Sequence, residues 1–343
     1  MLVYWFALAL TILFASGIKY DREGKFSKKA ILVAFPFSII SALRYNVGTD
    51  YFAYILEFQK INYINGYHSR MEPLFVLLNK SIGALGLSSQ WIFIITAFLF
   101  CTIVIYTIMR DSELPKFSIF LFLGAGFYTF SMNGIRQTLA CAITFCAMRY
   151  IREKKFVSFL ICILIASGFH YTALAMIPIY FLQYVKVDIK KSLFIILCVF
   201  LLKDKIIDLY SHFLYSLDYY NSYLVYQKTS LDIWLYINIA IFIFLLLFLN
   251  REDEKNRIYF YCQLSVVCLG LFNGQIALLS RLMWTFCFPQ LVALPKAINT
   301  IRDSKTRSLV KLGMIILFAF YINYSVVISG SNAVNPYRLI FFQ

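Results

Sequence analysis

The chain has 343 residues, 61% of them hydrophobic and 14% charged, with a mean hydropathy of +0.73. Its length would suit two soluble domains, but the composition is that of a protein whose solvent is a bilayer, which excludes an ordinary soluble enzyme. The formal net charge of +15 would suit a nucleic-acid binder, yet the cations sit in short clusters between apolar runs. That is the pattern of membrane topology, and no nucleic-acid partner is expected.

Residues 1–18 form the first apolar run. No cation precedes it and Lys19 follows it, the reverse of a secretory signal peptide, so it reads as a retained span with its N-terminus outside. Further crossings are expected at about 30–43, 91–109, 117–130, 136–150, 156–169, 172–185, 192–203, 232–249, 257–272, 280–296 and 309–327. Several fall short of the roughly 20 residues that cross about 30 Å of hydrocarbon, so they extend into polar flanks or sit within the bundle. Backbone groups have no water there, and helices satisfy them internally. A β-barrel would instead show alternating segments of about 10 residues. The expected fold is therefore all-α: one polytopic domain over residues 1–343 with about twelve transmembrane helices.

Two long outer loops are expected, at 44–90 and 204–231. In the first, Pro73 to Leu87 either crosses or lies on the surface as an amphipathic helix carrying Asn79 and Lys80, and the positive-inside bias decides. With that segment on the outer surface, 22 of the 32 Lys and Arg face the cytoplasm, in segments 19–29, 110–116, 149–155, 186–191, 251–257 and 296–311. As a crossing it would send the last 17 of them outside. Both termini are thus placed on the outer side. In the second loop Ile206, Tyr210, Phe213, Leu214 and Leu217 follow helical spacing, which predicts a helix lying in the interface. The tyrosines Tyr210, Tyr215, Tyr219, Tyr220, Tyr223 and Tyr226 suit either an interfacial aromatic belt or stacking on sugars.

The eight cysteines all fall in apolar stretches without a C-x-x-C pair, and read as small packing residues. The charged run from Arg251 to Lys255 contains no D-x-D arrangement and reads as a solvated loop; neither metal nor cofactor is expected.

The informative residues are the outer-face charges. Arg44 closes the second span and precedes Asp50, and Glu72 precedes Pro73. Arg136 and Gln137 open the fifth span, His170 ends the sixth, and Arg281 opens the eleventh. Ionisable groups near hydrocarbon are costly and mark function or internal pairing. A planar, permanently charged arginine fork suits a diphosphate. Arg136 and Arg281 are each the only cation between an outer turn and a long apolar run, so they either bind such an anion or reach to headgroups. Arg44 either joins them or pairs with Asp50. His170 is one of three histidines and serves as a proton acceptor or as a structural hydrogen-bonding residue, with Asp50 and Glu72 as alternative bases or as its orienting partners.

At these positions the chain resembles a known family. Arg44, the run Gly48-Thr49-Asp50-Tyr51 with Tyr54, Glu72-Pro73, the run Gly134-Ile135-Arg136-Gln137 and the run Phe169-His170-Tyr171-Thr172-Ala173 are similar to the EpsG-like branch of Wzy-type polysaccharide polymerases. The resemblance runs from about residue 40 to residue 180, while the C-terminal half matches mainly in hydropathy. It implies a metal-independent glycosyltransferase of the bacterial inner membrane that builds O-antigen, capsule or exopolysaccharide. The donor would be a glycan on undecaprenyl diphosphate and the acceptor the non-reducing end of the next lipid-linked repeat. A flippase and a chain-length regulator would be further partners. On that resemblance His170, Arg136, Asp50 and Glu72 carry catalysis, with His170 the first choice of base. Arg44, Gln137, Tyr51 and Tyr54 bind substrate, with Arg281 added from its position.

A flippase for the same lipid-linked glycan is the competing reading, and it needs a polar route through the bundle. The cytoplasmic halves of the spans are almost free of ionisable groups, which favours one-sided chemistry. A membrane O-acyltransferase would need its histidine facing a cytoplasmic acyl donor, and His170 lies on the other side.

The topology is testable by cysteine labelling on a cysteine-free background. Reagent added outside should reach positions near Gly66 and Ser222 but not Glu254 or Ser304. Labelling of Glu254 from outside would overturn the sidedness.

Overall fold

The computed structural model describes residues 1–18, 28–215, 233–273 and 275–341, and among them the chain is helical with no β-strand. In chain order the helices are α1 (Leu2–Ser16), α2 (Lys28–Ala42), α3 (Tyr51–Tyr63), α4 (Pro73–Ala84), α5 (Gln90–Asp111) and α6 (Pro115–Gly124). Next come α7 (Phe127–Phe130), α8 (Ile135–Arg152), α9 (Phe156–Ser167), α10 (Ile177–Leu182) and α11 (Ile189–Tyr215). Last are α12 (Ile233–Phe248), α13 (Glu254–Gly270), α14 (Ala277–Cys287), α15 (Gln290–Asn299) and α16 (Ser304–Asn323).

Two helical stretches are long and apolar enough to cross a membrane, Gln90–Asp111 and Ser304–Ile328; the other apolar helices have 10–17 residues. The difference from the expected full-length spans has local causes. Residues 117–130 are split into α6 and α7 at Gly126, whose φ of +85° ends the helix in the left-handed region. Residues 280–296 are split at Phe288-Pro289, where proline cannot continue the hydrogen-bond ladder of α14. Residues 172–185 begin as a 3-10 turn, Tyr171–Met176, before α10.

The first expected loop holds two helices rather than one. Tyr51, Tyr54 and Phe58 form a buried stripe on α3, which packs on α4. In the second, α11 continues unbroken from its apolar half to Tyr215, so Ile206 and Tyr210 extend that helix instead of starting a separate one. The remainder of that loop, with Leu217, Tyr219, Tyr220, Tyr223 and Tyr226, lies outside the described residues, as do the cations of 19–27.

The core is aromatic. Phe37 meets Tyr128 at 4.4 Å and Phe122 at 5.4 Å between ring centroids, while the Tyr128 hydroxyl donates to the Phe37 carbonyl at 2.8 Å. These contacts join α2 and α6 to α7. Elsewhere a buried amide trio ties three helices: Gln290 donates to Asn238 Oδ1 at 2.6 Å and to Gln263 Oε1 at 2.8 Å.

The two ends of the bundle differ. One gathers five of the six basic segments expected on the cytoplasmic side. There Arg110 and Arg152 share Asp111, Arg152 donates to the Tyr259 hydroxyl at 2.5 Å, and Arg257 donates to the Gln183 carbonyl. Lys296 meets Glu113, and the Tyr261 hydroxyl donates to the Lys186 carbonyl. The other end carries both the N-terminus and a C-terminal strap. The strap lies along the segment after α2: Gly48 N donates to Ala333 O, Tyr45 N to Arg338 O, and Ile340 N to Leu43 O.

At that second end α4 is locked to the turn after α9, where Leu74 N donates to Gly168 O at 2.8 Å. A Cβ on Gly168 would lie 2.5 Å from Leu74 Cγ, so only glycine permits this approach. Gly168→Ala should therefore destabilise the protein by about 1–3 kcal/mol, the usual cost of overpacking. Adding Leu74→Ala should recover most of that loss, read as the melting temperature in detergent; no recovery would mean that Leu74 is not the clashing neighbour.

Candidate active site

α8 begins at the strap end, and its first turn carries Arg136 and Gln137, adjacent residues that face different cavities. Arg136 lines a cleft of about 1080 Å³ together with Glu72, His170, Arg281, Arg70 and His68. Gln137 lines a separate cavity of about 360 Å³ with Asp50, Asn133, Ser280, Arg281 and Trp284. Arg281 borders both. The Gln137 amide donates to the Arg281 carbonyl at 2.5 Å, which makes this pair of residues the partition between them.

Arg136 and Glu72 form an ion pair, and the Arg136 guanidinium lies 5.8 Å from the Phe75 ring centroid. Tyr54 is buried within hydrogen-bonding reach of Arg136. Glu72 is the N-cap residue of α4, held in place by the Leu74–Gly168 bond, so a backbone contact fixes a charged side chain. The N-terminus of α8 faces this region and adds partial positive charge.

His170 caps the 3-10 turn and is 9% exposed. Its Nδ1 lies 2.8 Å from Thr172 Oγ1 and accepts from Thr172 N at 3.4 Å, so this nitrogen is the acceptor and the tautomer carries its hydrogen on Nε2. Thr285 donates to Thr172 Oγ1 at 3.2 Å and accepts from Cys141 Sγ at 3.8 Å, which orients the Thr172 hydroxyl toward the ring. Burial, then the positive charges of Arg136 and Arg281, pull the imidazole down to about 4, so it is neutral at physiological pH.

The remaining sequence-selected residues divide. Asp50 lines the smaller cavity, is exposed, and accepts from Thr49 Oγ1 at 3.1 Å. Arg44 neither pairs with Asp50 nor reaches either cavity. It is 1% exposed, donates to the Ser41 and Met132 carbonyls at 2.7 and 3.2 Å, and lies 4.7 Å from the Phe93 ring centroid. The physical reason is the strap, which closes over the Arg44 segment. Tyr51 stacks on Phe93 at 4.6 Å and donates to Gln90 at 3.0 Å, buttressing that same segment. Glu72 orients Arg136, not His170.

Sequence reasoning missed the polar residues that build the smaller cavity. Asn133 accepts from Thr49 N at 2.7 Å, and Trp284 stacks on Phe130 at 4.0 Å. Both carried a signal: Asn133 stands three residues before Arg136, and Trp284 lies three after Arg281 on the same helical face.

These features define an all-helical protein with a cationic cleft at one end of the bundle and a polar, aromatic-walled cavity beside it. The chain belongs to the EpsG family, whose model matches residues 29–339 and thus both halves of the chain. This is a family of membrane polymerases associated with polysaccharide synthesis. No curated protein and no solved structure matches the chain.

Breaking the Glu72–Arg136 pair should cost less than the roughly 3–5 kcal/mol of a fully buried pair, because the Arg136 side chain keeps 22% exposure. Glu72→Ala should lower the melting temperature, and Glu72→Ala with Arg136→Ala should lower it less than the single change. Equal or additive losses would show that the pair does not act as a unit.

Proposed function

We propose that the protein is a lipid-linked repeat-unit polymerase acting at the outer face of the bacterial cytoplasmic membrane. It transfers a growing glycan from undecaprenyl diphosphate to a hydroxyl at the non-reducing end of the next lipid-linked repeat. The observation that carries this reading is the convergence of Arg136 and Arg281, from two different helices, on one cleft that also holds His170. A cleft of about 1080 Å³ stands at the upper end of ligand pockets, roomy enough for a diphosphate and attached sugars.

The chemistry follows from the donor set. The acceptor oxygen attacks the anomeric carbon, the carbon–oxygen bond to the diphosphate breaks, and undecaprenyl diphosphate departs with the bonding pair. Arg136 and Arg281 stabilise the charge that grows on it. His170 Nε2–H is a neutral donor to the same anion. Accepting a proton is disfavoured for this ring, since its other nitrogen is engaged and burial, the larger cause of its low pKa, persists once the diphosphate screens the two guanidiniums.

A flippase reading needs a polar route to the far end. That end is tied shut by the Arg110–Asp111–Arg152 cluster, whose side chains are 6%, 7% and 17% exposed, which favours the polymerase.

Arg136→Lys keeps the charge and loses the bidentate fork, so transfer should fall about 10²- to 10³-fold. Cells with this variant should keep single lipid-linked repeats and lose long polymer at normal protein abundance. Full-length polymer would return Arg136 to headgroup anchoring, and repeats trapped on the cytoplasmic leaflet would favour the transporter. His170 is tested separately: His170→Gln restores an N–H donor and should retain more activity than His170→Ala. Because neutral His170 is already the major form down to about pH 4, the rate should show no loss from its protonation between about pH 8 and pH 5.5. A drop near pH 6.5 that disappears in His170→Gln would make it the base.

A further inference from the structure

We propose that the smaller cavity, of about 360 Å³, is the acceptor-sugar subsite, and that Asp50 is the base that takes the proton of the attacking hydroxyl. This rests on the polymerase reading and adds to it a place for the second substrate.

The cavity's chemistry differs from that of the cleft beyond the partition. Its polar lining is mostly neutral: the amides of Asn133, Gln137 and Asn273 and the hydroxyls of Thr49 and Ser280. Amides and hydroxyls donate to and accept from vicinal hydroxyl pairs, and they offer little to a dianion. The indole of Trp284, stacked against Phe130, makes one wall. An aromatic wall beside neutral polar groups is the form of a site for an uncharged polyol, and the volume lies near the lower end of ligand pockets, about 300 Å³. One or two sugar rings fit that description better than a whole repeat unit on its lipid.

The position of the cavity matters as much as its lining. A transfer reaction needs two bound substrates meeting at one atom, and Arg281 borders both cavities. Its guanidinium can hold the donor diphosphate while its backbone carbonyl, which accepts from Gln137, ties it to a residue of the acceptor wall. Asp50 is the carboxylate among the residues lining the smaller cavity, and it has no ion-pair partner among the described residues. In the larger cleft Glu72 is committed to Arg136, and Glu57 accepts from the hydroxyls of both Tyr67 and Ser69 where Asp50 accepts from that of Thr49 alone. In the step itself the acceptor hydroxyl oxygen bonds to the anomeric carbon and its proton passes to the Asp50 carboxylate. Undecaprenyl diphosphate leaves with the electron pair of the broken bond. The positive φ of Gly48, +101°, and its packing against the Met132 carbonyl seat Asp50 at the cavity's edge.

The test uses the full chain in lipid nanodiscs with two readouts. One is affinity for undecaprenyl diphosphate. The other is polymerisation of single lipid-linked repeats extracted from cells lacking this gene. Ser280→Phe fills the smaller cavity, and Asp50→Asn keeps the hydrogen bond to a sugar but cannot take its proton. Both variants should bind undecaprenyl diphosphate within about twofold of the parent, which also shows that they are folded. Both should lose polymerisation by about 10²-fold or more, the range of a general base. Asp50→Asn should lower kcat with little change in the KM for the repeat, and Asp50→Glu should restore part of the rate. The subsite is overturned if both variants polymerise normally, or if both lose undecaprenyl diphosphate affinity as Arg136→Lys does, since the cavity would then belong to the donor cleft. A parent protein that neither binds undecaprenyl diphosphate nor extends the repeats would defeat the polymerase reading, and the subsite with it.

Discussion

Arg44 is a charge removed from water with no ion-pair partner among the described residues, held by backbone carbonyls and an aromatic face. Isolated buried charges are costly, so every group that satisfies this one is constrained to stay where it is. Its hydrogen bonds tie the end of α2 to the turn at Met132, and that turn leads directly into Asn133, Gly134 and the first turn of α8. The placement of Arg136 and Gln137 therefore depends on a residue that touches neither cavity. Tyr51, Gln90 and the strap complete the same clamp from the other side.

From that clamp the two cavities follow as a division of labour. Adjacent residues on a helix point about 100° apart, and here that turn sends Arg136 and Gln137 to different spaces. One lines the cationic cleft and the other the amide-rich cavity, with Arg281 of α14 completing both. The cleft gathers Arg70, Arg136 and Arg281, whereas in the smaller cavity neutral amides and hydroxyls outnumber the charges of Asp50 and Arg281.

Much of this was legible in the residues themselves. Arg136 and Arg281 stand out because a lone cation beside a long apolar run has few structural uses, and His170 stands out for its position at a helix end. The resemblance was carried by motifs between about residues 40 and 180, and the family match extends it through the C-terminal half, where hydropathy alone had spoken. The role of Arg44 was not legible, because its burial is set by a strap nearly 300 residues away. The hydrogen-bonding state of His170 was equally hidden, since it depends on Thr172 and Thr285, the latter on another helix. The third helix, Tyr51–Tyr63, was obscured by Glu57 and Lys60, which interrupt the apolar run along the sequence though not the buried stripe. The helix breaks at Gly126 and Pro289 were written in plain residues and were overridden by the expectation of full-length spans.

The strap has a consequence for how the chain is made. Residues 332–340 bond to the segment at 43–48 and to Asn133, so the clamp around Arg44 is completed by backbone that leaves the ribosome roughly 290 residues after the segment it covers. At about 5–20 residues per second, α2 and α8 wait many seconds for their final partners. During that interval Gly48 lacks its bond to the Ala333 carbonyl and Asn133 its bond to Asn332. The turn that leads into Arg136 and Gln137 therefore reaches its final set of bonds only after residues 332–340 have been made.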